Sequence, residues 1–149
     1  MTKQYSGRAL KFTETWEELR LVAYHGKADR PDVWTIGFGH IKGVQEGDTC
    51  TREQAEQWLL EDIQDAVDAV NNYVTVELTQ DEFDATVDLV FNCGIAPLRG
   101  TFGRLLNAGD YDAAATEIEA WDHANGKVVA GLLRRRLGEE AIFREGMQS

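Results

Sequence analysis

The sequence divides at Thr51 into a short segment with β character and a long remainder dominated by helix signals. A capping box, Thr51-Arg52-Glu53-Gln54, opens this remainder, and apolar residues then keep helical spacing along one face over 55–73. A second capping box at 79–82 begins another helix, which Gly94 closes at the usual stop position. Further helices are predicted over 98–107, from 110 or 111 to 121, and over 132–147. Everything after Thr51 is therefore expected to be helical.

The segment before Thr51 holds the one region that we expect to be β structure. The spacing over 6–15 suits a short helix, whereas 19–24 alternates like a strand. After a polar stretch, 33–40 is rich in β-branched and aromatic residues, as in the return strand of a hairpin. The predicted fold class is therefore α+β and mostly helical.

With 149 residues, the chain is long enough for one substantial core but not for two independent ones. We expect a single domain, 1–149, made of a small β-containing lobe over about 16–50 and a helical lobe over 74–149. A long helix over about 51–73 joins the two lobes. Such an arrangement leaves a cleft between the lobes, which is where a ligand site is expected.

The charge balance restricts the partners of this protein. Lys and Arg number 15 against 26 Asp and Glu, a formal net charge of −11, which argues against binding to nucleic acid or anionic lipid through bulk electrostatics. The sequence shows no signal peptide and no apolar run of membrane-spanning length. We therefore expect synthesis in the cytoplasm, with no signal anchor and no membrane span. Cys50 and Cys93 are expected to be free thiols.

The predicted hairpin concentrates groups that can transfer protons. Glu17 lies where the first helix ends, and the negative end of the helix dipole there disfavours an ionised carboxylate. Cleavage of a glycosidic bond needs one protonated carboxyl group as acid and one carboxylate that activates water or stabilises positive charge. Glu17 is the candidate acid, and Asp29 or Asp32 is the candidate carboxylate. Thr35 could place a water molecule through its hydroxyl group.

These residues stand within an ordered set of motifs that covers nearly the whole chain. The set contains Trp16-Glu17-Glu18-Leu19-Arg20-Leu21, Ala23-Tyr24, Val33-Trp34-Thr35-Ile36-Gly37-Phe38-Gly39-His40, Phe91-Asn92-Cys93-Gly94, Leu106-Asn107-Ala108-Gly109-Asp110-Tyr111 and Gly131-Leu132-Leu133-Arg134-Arg135-Arg136. In this order the motifs resemble the phage-type lysozymes, or endolysins, of glycoside hydrolase family 24, which includes the lysozyme of the T-even phages. The resemblance implies a lysozyme-like fold of two lobes.

The resemblance also assigns catalytic roles. The family pattern is a glutamate, eight residues, an aspartate, five residues and a threonine. Glu17 matches the glutamate, which acts as the acid, but counting forward from it reaches Gly26. Counting back from Thr35 reaches Asp29, which implies three extra residues in the hairpin loop, and Asp32 is the alternative. The aspartate and the threonine then handle the attacking water.

The implied reaction is hydrolysis of the β-1,4 bond between N-acetylmuramic acid and N-acetylglucosamine in peptidoglycan, with inversion and without a metal or cofactor. The longer loop leaves open a lytic transglycosylase that forms 1,6-anhydro products, and the acidic surface leaves open a non-catalytic wall-binding protein. The implied protein is a monomer that is made in the host cytoplasm. It reaches periplasmic peptidoglycan through a membrane-permeabilising partner, a holin.

Several other polar residues have structural or supporting interpretations. Asp62 lies inside the apolar stripe of the long helix and needs a partner, which His40 would provide. The resemblance places Phe91 and Asn92 in the sugar cleft, and it brings Arg135 or Arg136 towards the catalytic glutamate. A zinc site is the competing interpretation, but its candidate ligands lack ligand spacing on one helix or turn: His25, His40, His123, Cys50 and Cys93.

Overall fold

The computed structural model describes residues 2–25 and 32–149 of the chain. Their helices and strands belong to two units, one of which is Leu10–Gln64 and the other Met1–Ala9 with Asp65–Ser149. We call these the hairpin unit and the helical unit. Helices α1 (Gly7–Trp16) and α2 (Arg52–Tyr73) each begin in one unit and end in the other. The expected fold class, α+β and mostly helical, is confirmed.

The hairpin unit is built around two antiparallel strands, β1 (Arg20–His25) and β2 (Trp34–Gly37). Tyr24 pairs with Thr35, and the register shifts between that pair and the pair of Arg20 with Gly37. The opposite edge of β1 bonds to the segment before α2, where the Cys50 amide donates to the Leu21 carbonyl at 2.9 Å. Both predicted strands are present, but the second, predicted over 33–40, ends at Gly37 because the chain turns back at Phe38 and Gly39.

Side chains at the start of α2 explain why the helix begins there. The Gln54 amide donates to Thr51 Oγ1 at 3.2 Å, and the Thr51 amide donates to Gln54 Oε1 at 2.9 Å. This reciprocal pair satisfies two amides that the first turn of a helix leaves without partners. The predicted capping box is confirmed.

The helical unit is organised around α3 (Gln80–Cys93), which is buried continuously over 82–90. Its predicted capping box forms, since Thr79 accepts from the Glu82 amide and Glu82 accepts from the Thr79 amide. The last helix, α7 (Ala130–Met147), packs along α3. Aromatic rings of Phe102 and Phe143 meet edge to face in the adjoining core, with centroids 6.4 Å apart.

Three shorter helices complete this unit: α4 (Ala96–Arg99), α5 (Thr101–Asn107) and α6 (Tyr111–Glu117). The single helix predicted over 98–107 is wrong, because Gly100 adopts an extended conformation between α4 and α5. The helix predicted to end at Trp121 is correct in place, but its last turn, Ile118–Ala120, tightens to a 3-10 helix.

A second hairpin corrects the expectation that everything after Thr51 is helical. Strands β3 (His123–Ala124) and β4 (Lys127–Val128) pair antiparallel to each other. Asn125 and Gly126 form the turn, with φ of 53° and 78°. Asn-Gly is a strong signal for a two-residue hairpin turn because both residues tolerate positive φ. The helical periodicity on either side outweighed that signal.

Across residues 2–25 and 32–149, none of the helices is long and apolar enough to cross a membrane. This result concerns the helices alone.

The contact of α7 with the cap of α3 yields a stability prediction. A Cβ added at Gly146 would lie 2.9 Å from the Glu82 amide nitrogen and 3.0 Å from Asp81 Cβ. Both distances are too short for a carbon atom, and relieving them requires the backbone of α3 or α7 to move. Gly146→Ala should therefore lower the free energy of unfolding by about 1–3 kcal/mol, as overpacking does. Urea denaturation measures this change.

Gly131→Ala is the matched control on the same helix. Its added Cβ would meet only the end of the Arg134 side chain, at 3.8 Å. Helix propensity then leaves the free energy of unfolding unchanged or raises it by less than about 1 kcal/mol. Equal losses in the two variants would show that close packing at Gly146 is not the cause.

Candidate active site

Glu17 lies beside a tight turn that follows β2. Ile36 and His40 exchange two backbone hydrogen bonds, at 2.8 and 2.9 Å, across Gly37-Phe38-Gly39. Gly37 and Gly39 have φ of 66° and 85°, a conformation that side chains rarely adopt. A Cβ at Gly37 would also lie 3.1 Å from Ala55 Cβ on α2. The two glycines are thus required by the turn.

Glu17 directly follows the last residue of α1 and is half-buried. Its amide donates to the Glu14 carbonyl at 3.3 Å, which continues the last turn of the helix. A Cβ built on Gly39 would lie 3.8 Å from Glu17 Oε2, so the absence of a side chain at Gly39 leaves space beside this carboxyl group. The structure therefore brings Glu17 to the glycine turn.

The charge of Glu17 also acts on the pKa of Tyr24. Burial raises the pKa of the Tyr24 phenol, and the negative charges of Glu18 and Glu17 raise it further, while Arg20 opposes them. The Arg20 guanidinium lies over the Tyr24 ring, 4.5 Å from its centroid. The sequence placed Tyr24 in a family motif but gave it no role. Alternation along β1 predicts that Tyr24 and Arg20 lie on the same face of the strand.

Thr35 lies in β2 and is 5% exposed. Its Oγ1 donates to the Val33 carbonyl at 3.5 Å, a long hydrogen bond that leaves the hydroxyl oxygen able to accept. The alternative carboxylate, Asp32, is exposed in the turn before β2. Asp29 lies outside the described residues, so its role stays a prediction.

His40 and Asp62 contact each other within the hairpin unit. His40 Nδ1 lies 2.9 Å from Asp62 Oδ2, and the His40 ring stacks on Trp58, with centroids 4.7 Å apart and planes inclined by 10°. A carboxylate only accepts hydrogen bonds, so Nδ1 is the donor in this pair. The contact ties the end of the glycine turn to α2, which carries both Trp58 and Asp62.

The helical unit contains a buried polar cluster, formed by α3 and α7 and defined by Asp88, Asn92, Arg135, Arg136 and Glu139. The Arg135 guanidinium donates twice to the Asp88 carboxylate, at 2.9 Å each. Arg136 Nη2 donates to Asn92 Oδ1 at 2.8 Å, and its Nε lies 2.8 Å from Glu139 Oε1. Both guanidinium groups are thus held by several acceptors.

One member of this cluster, Glu139, and one neighbour, Cys93, have raised pKa values. Burial raises the pKa of Glu139 well above its ordinary value, and the adjacent Asp88 acts in the same direction, whereas the two arginines oppose it. Burial also raises the pKa of the Cys93 thiol, against the effect of the Arg136 guanidinium that contacts its Sγ. Arg136 additionally donates to the Trp121 carbonyl at 3.3 Å.

The predicted site residues of the helical unit lie in or beside this cluster. Arg135 and Arg136 are buried, and Asn92 uses its carbonyl oxygen to accept from Arg136. Phe91 is half-buried near the end of α3. Contact of an arginine with Glu17, and of Phe91 or Asn92 with sugar, stay predictions.

Sequence reasoning missed the acidic members of the cluster, Asp88 and Glu139. A signal was present for Glu139, because it lies three and four residues after Arg136 and Arg135, the spacing at which helix side chains meet. Asp88 gave a weaker signal, an acid flanked by the apolar residues Val87 and Leu89. Its partner was not apparent because it lies 47 residues further along the sequence.

The zinc interpretation finds no support in the described part of the chain. Among those residues, no three His, Cys, Asp or Glu side chains form a group that could hold a metal ion. His25 instead contacts the Trp34 ring, with centroids 4.0 Å apart, and His123 pairs with Asp122.

Known proteins resemble this chain along most of its length. Residues 14–139 match the family described as phage lysozyme. An endolysin of Acyrthosiphon pisum secondary endosymbiont phage 1 is 41% identical, over 93% of this chain and 96% of the relative. An endolysin of Bacillus phage B103 is 35% identical over 95% of this chain, but the chain spans only 54% of that relative.

Further similarities extend to a solved structure. An endolysin from Escherichia coli O157:H7 phage FAHEc1 has a TM-score of 0.85 and 36% identity, covering 96% of this chain and 94% of its own. A protein named SAR-endolysin, from Enterobacteria phage P21, is 31% identical over 85% of this chain and 78% of its own length. The chain therefore belongs to the phage lysozyme family. Its class is that of hydrolases that degrade peptidoglycan.

The raised pKa of Glu139 yields a prediction for stability against pH. The folded protein keeps a proton that the unfolded chain releases above about pH 4.5, so folding binds protons and stability falls as pH rises. Glu139→Gln carries a neutral amide that does not titrate. Relative to this variant, the parent's free energy of unfolding should fall between pH 4.5 and neutral pH, as measured by urea denaturation.

A parent that gains stability over Glu139→Gln as pH rises would contradict the prediction. Arg135 and Arg136 would then outweigh burial at Glu139.

Proposed function

We propose that this chain is an endolysin of glycoside hydrolase family 24 that cleaves the β-1,4 bond between N-acetylmuramic acid and N-acetylglucosamine. The observation that carries the proposal is the placement of the Glu17 carboxyl group against the glycine turn after β2. This turn directly follows the strand that holds Thr35. The proposal thus rests on an acid and a hydroxyl group brought to one hairpin.

The proposed mechanism uses two carboxyl groups. Glu17 donates its proton to the glycosidic oxygen as the bond to the anomeric carbon breaks. Water attacks that carbon from the opposite face, which inverts the configuration, and Asp29 accepts the proton that the water loses. The Thr35 hydroxyl positions the water by donating to it or accepting from it. The reaction uses no metal or cofactor.

We extend the proposal to binding and support residues. Phe91 offers an aromatic face and Asn92 an amide to the sugar rings. Arg136 fixes Asn92, because its guanidinium donates to the Asn92 carbonyl oxygen and thereby sets the orientation of the amide group. Arg135 or Arg136 supports Glu17. The chain acts as a monomer and as one domain, with peptidoglycan as its macromolecular partner.

The first test is the replacement of the proposed acid. Glu17→Gln keeps the shape of the side chain but has no carboxyl proton to donate, so the lysis rate should fall at least about a hundredfold. The assay follows the turbidity of cells with permeabilised outer membranes. Circular dichroism and the urea midpoint establish that the variant is folded.

Glu18→Gln is the neighbouring control, since Glu18 is exposed and pairs with Arg20 at 3.1 Å. It should retain the parental rate. Lysis by Glu17→Gln at the parental rate would refute the assignment of Glu17.

The second test identifies the acceptor of the glycosyl group. Mass spectrometry of soluble products from isolated peptidoglycan should show muropeptides that end in reducing N-acetylmuramic acid. Asp29→Asn should abolish their release, whereas Asp32→Asn should not. Ends in 1,6-anhydro sugar would instead define a lytic transglycosylase, and sacculus binding without soluble product would define a wall-binding protein.

We further propose that the protein is made in the host cytoplasm and reaches the wall through a holin. Cells that express the chain alone should stay intact until the membrane is permeabilised. Lysis without permeabilisation would instead show that the protein reaches the wall without a holin.

A further inference from the structure

Ser6 directly precedes α1, and it has two hydrogen-bonding roles. Its Oγ accepts from the Ala9 amide at 3.1 Å, which caps the first turn of the helix. The same hydroxyl group donates to Asp84 Oδ2 at 2.6 Å, while the Ser6 amide donates to Asp84 Oδ1 at 3.3 Å. The cap of α1 is therefore fastened to a carboxyl group on α3.

Asp84 is a buried anchor rather than a surface acid, since it is only 3% exposed. Gln80 Nε2 donates to its Oδ1 at 2.8 Å and also donates to the Gln4 carbonyl at 2.8 Å. Burial raises the pKa of Asp84, and the hydrogen bonds from Ser6 and Gln80 oppose that rise. A buried carboxyl group with several donors specifies one geometry for its partners.

Further contacts hold the chain on both sides of Ser6. Asn71 exchanges two hydrogen bonds with the backbone of Lys3, each 3.0 Å long. On the other side, Arg8 pairs with Glu145 at 3.0 Å and with Asp81 at 3.4 Å, although these are exposed. The half-buried Ser6–Asp84 pair thus lies at the centre of the contacts that hold residues 3–8.

The helix that this pair fastens is the one that delivers Glu17. Helix α1 runs without interruption over Gly7–Trp16, and Glu17 is the next residue, with its amide still bonded to Glu14. Ser6 and Glu17 therefore lie at the two ends of one run of helical hydrogen bonds. Ala9 and Thr13, on the buried face of α1, are 5% and 0% exposed.

We propose that Ser6 and Asp84 are positioning residues for Glu17, acting through α1. The inference rests on the proposed function, in which Glu17 donates the proton. General acid catalysis depends on fine placement of the donor, and a small displacement lowers the rate of the chemical step more than it weakens binding. Loss of the Ser6–Asp84 pair should therefore lower kcat and leave the KM for peptidoglycan nearly unchanged.

The experiment compares Ser6→Ala, which loses both roles of the hydroxyl group, with Ser6→Thr, which keeps them. The control is Asp110→Ala, which removes the cap of α6, where Asp110 accepts from the Ala113 amide at 3.2 Å. Ser6→Ala should lower the maximal lysis rate about threefold to tenfold, because loss of the cap lets the catalytic group depart slightly from its reactive position. Ser6→Thr and Asp110→Ala should stay within about twofold of the parent.

A double-mutant cycle tests whether the two residues act as one unit. Asp84→Asn should also lower the maximal rate, and the double variant Ser6→Ala/Asp84→Asn should be no slower than the slower single variant. Additive losses would contradict the proposal. So would an equal loss in Asp110→Ala, because destabilisation alone would then explain the effect.

Amide hydrogen exchange at Glu17 gives a readout that does not need turnover. Ser6→Ala should raise the exchange rate of the Glu17 amide severalfold, whereas Asp110→Ala should not change it. If the parent shows no turnover, the proposed function fails, and this measurement alone decides whether the pair holds α1. An unchanged rate at Glu17 in Ser6→Ala would overturn the inference.

Discussion

Two guanidinium groups buried between α3 and α7 impose the strictest condition on the helical unit. A buried charge that loses its partner costs several kcal/mol, so Arg135 and Arg136 require their acceptors to be in place together. Asp88 and Asn92 stand on α3, while Glu139 stands on α7 itself. Apolar contacts alone would tolerate small shifts of one helix along the other. The hydrogen bonds of the two buried guanidinium groups specify a single register instead.

Local signals predicted the elements well wherever one residue decides the local geometry. Thr51 and Thr79 each cap the predicted helix, since a side-chain oxygen at that place satisfies an amide that nothing else reaches. Signals from glycine were harder to interpret. Gly94 ends α3 as expected, yet Gly100 divides a predicted helix and Gly126 shapes an unexpected hairpin. A glycine permits several conformations, and tertiary contacts select among them.

The candidate site shows the same division between local and distant information. Motif order singled out Glu17 and Thr35, and the apolar stripe of α2 indicated that Asp62 needs a partner. Sequence could not show the proximity of Glu17 to Gly39, because that depends on the meeting of a helix end with a turn. Asp88 was missed for a similar reason. Its importance comes from a partner on another helix, which neither its neighbours nor its spacing reveals.

The stack of His40 on Trp58 has an optical consequence. With the ring centroids 4.7 Å apart and the planes almost parallel, the indole face is covered by an imidazole. The stack keeps water from this face of the indole, and the emission of an indole depends on how much water surrounds it. The emission of Trp58 should therefore change whenever the His40 ring leaves the stack. The protein thus carries an intrinsic fluorescent reporter within the unit that holds its glycine turn.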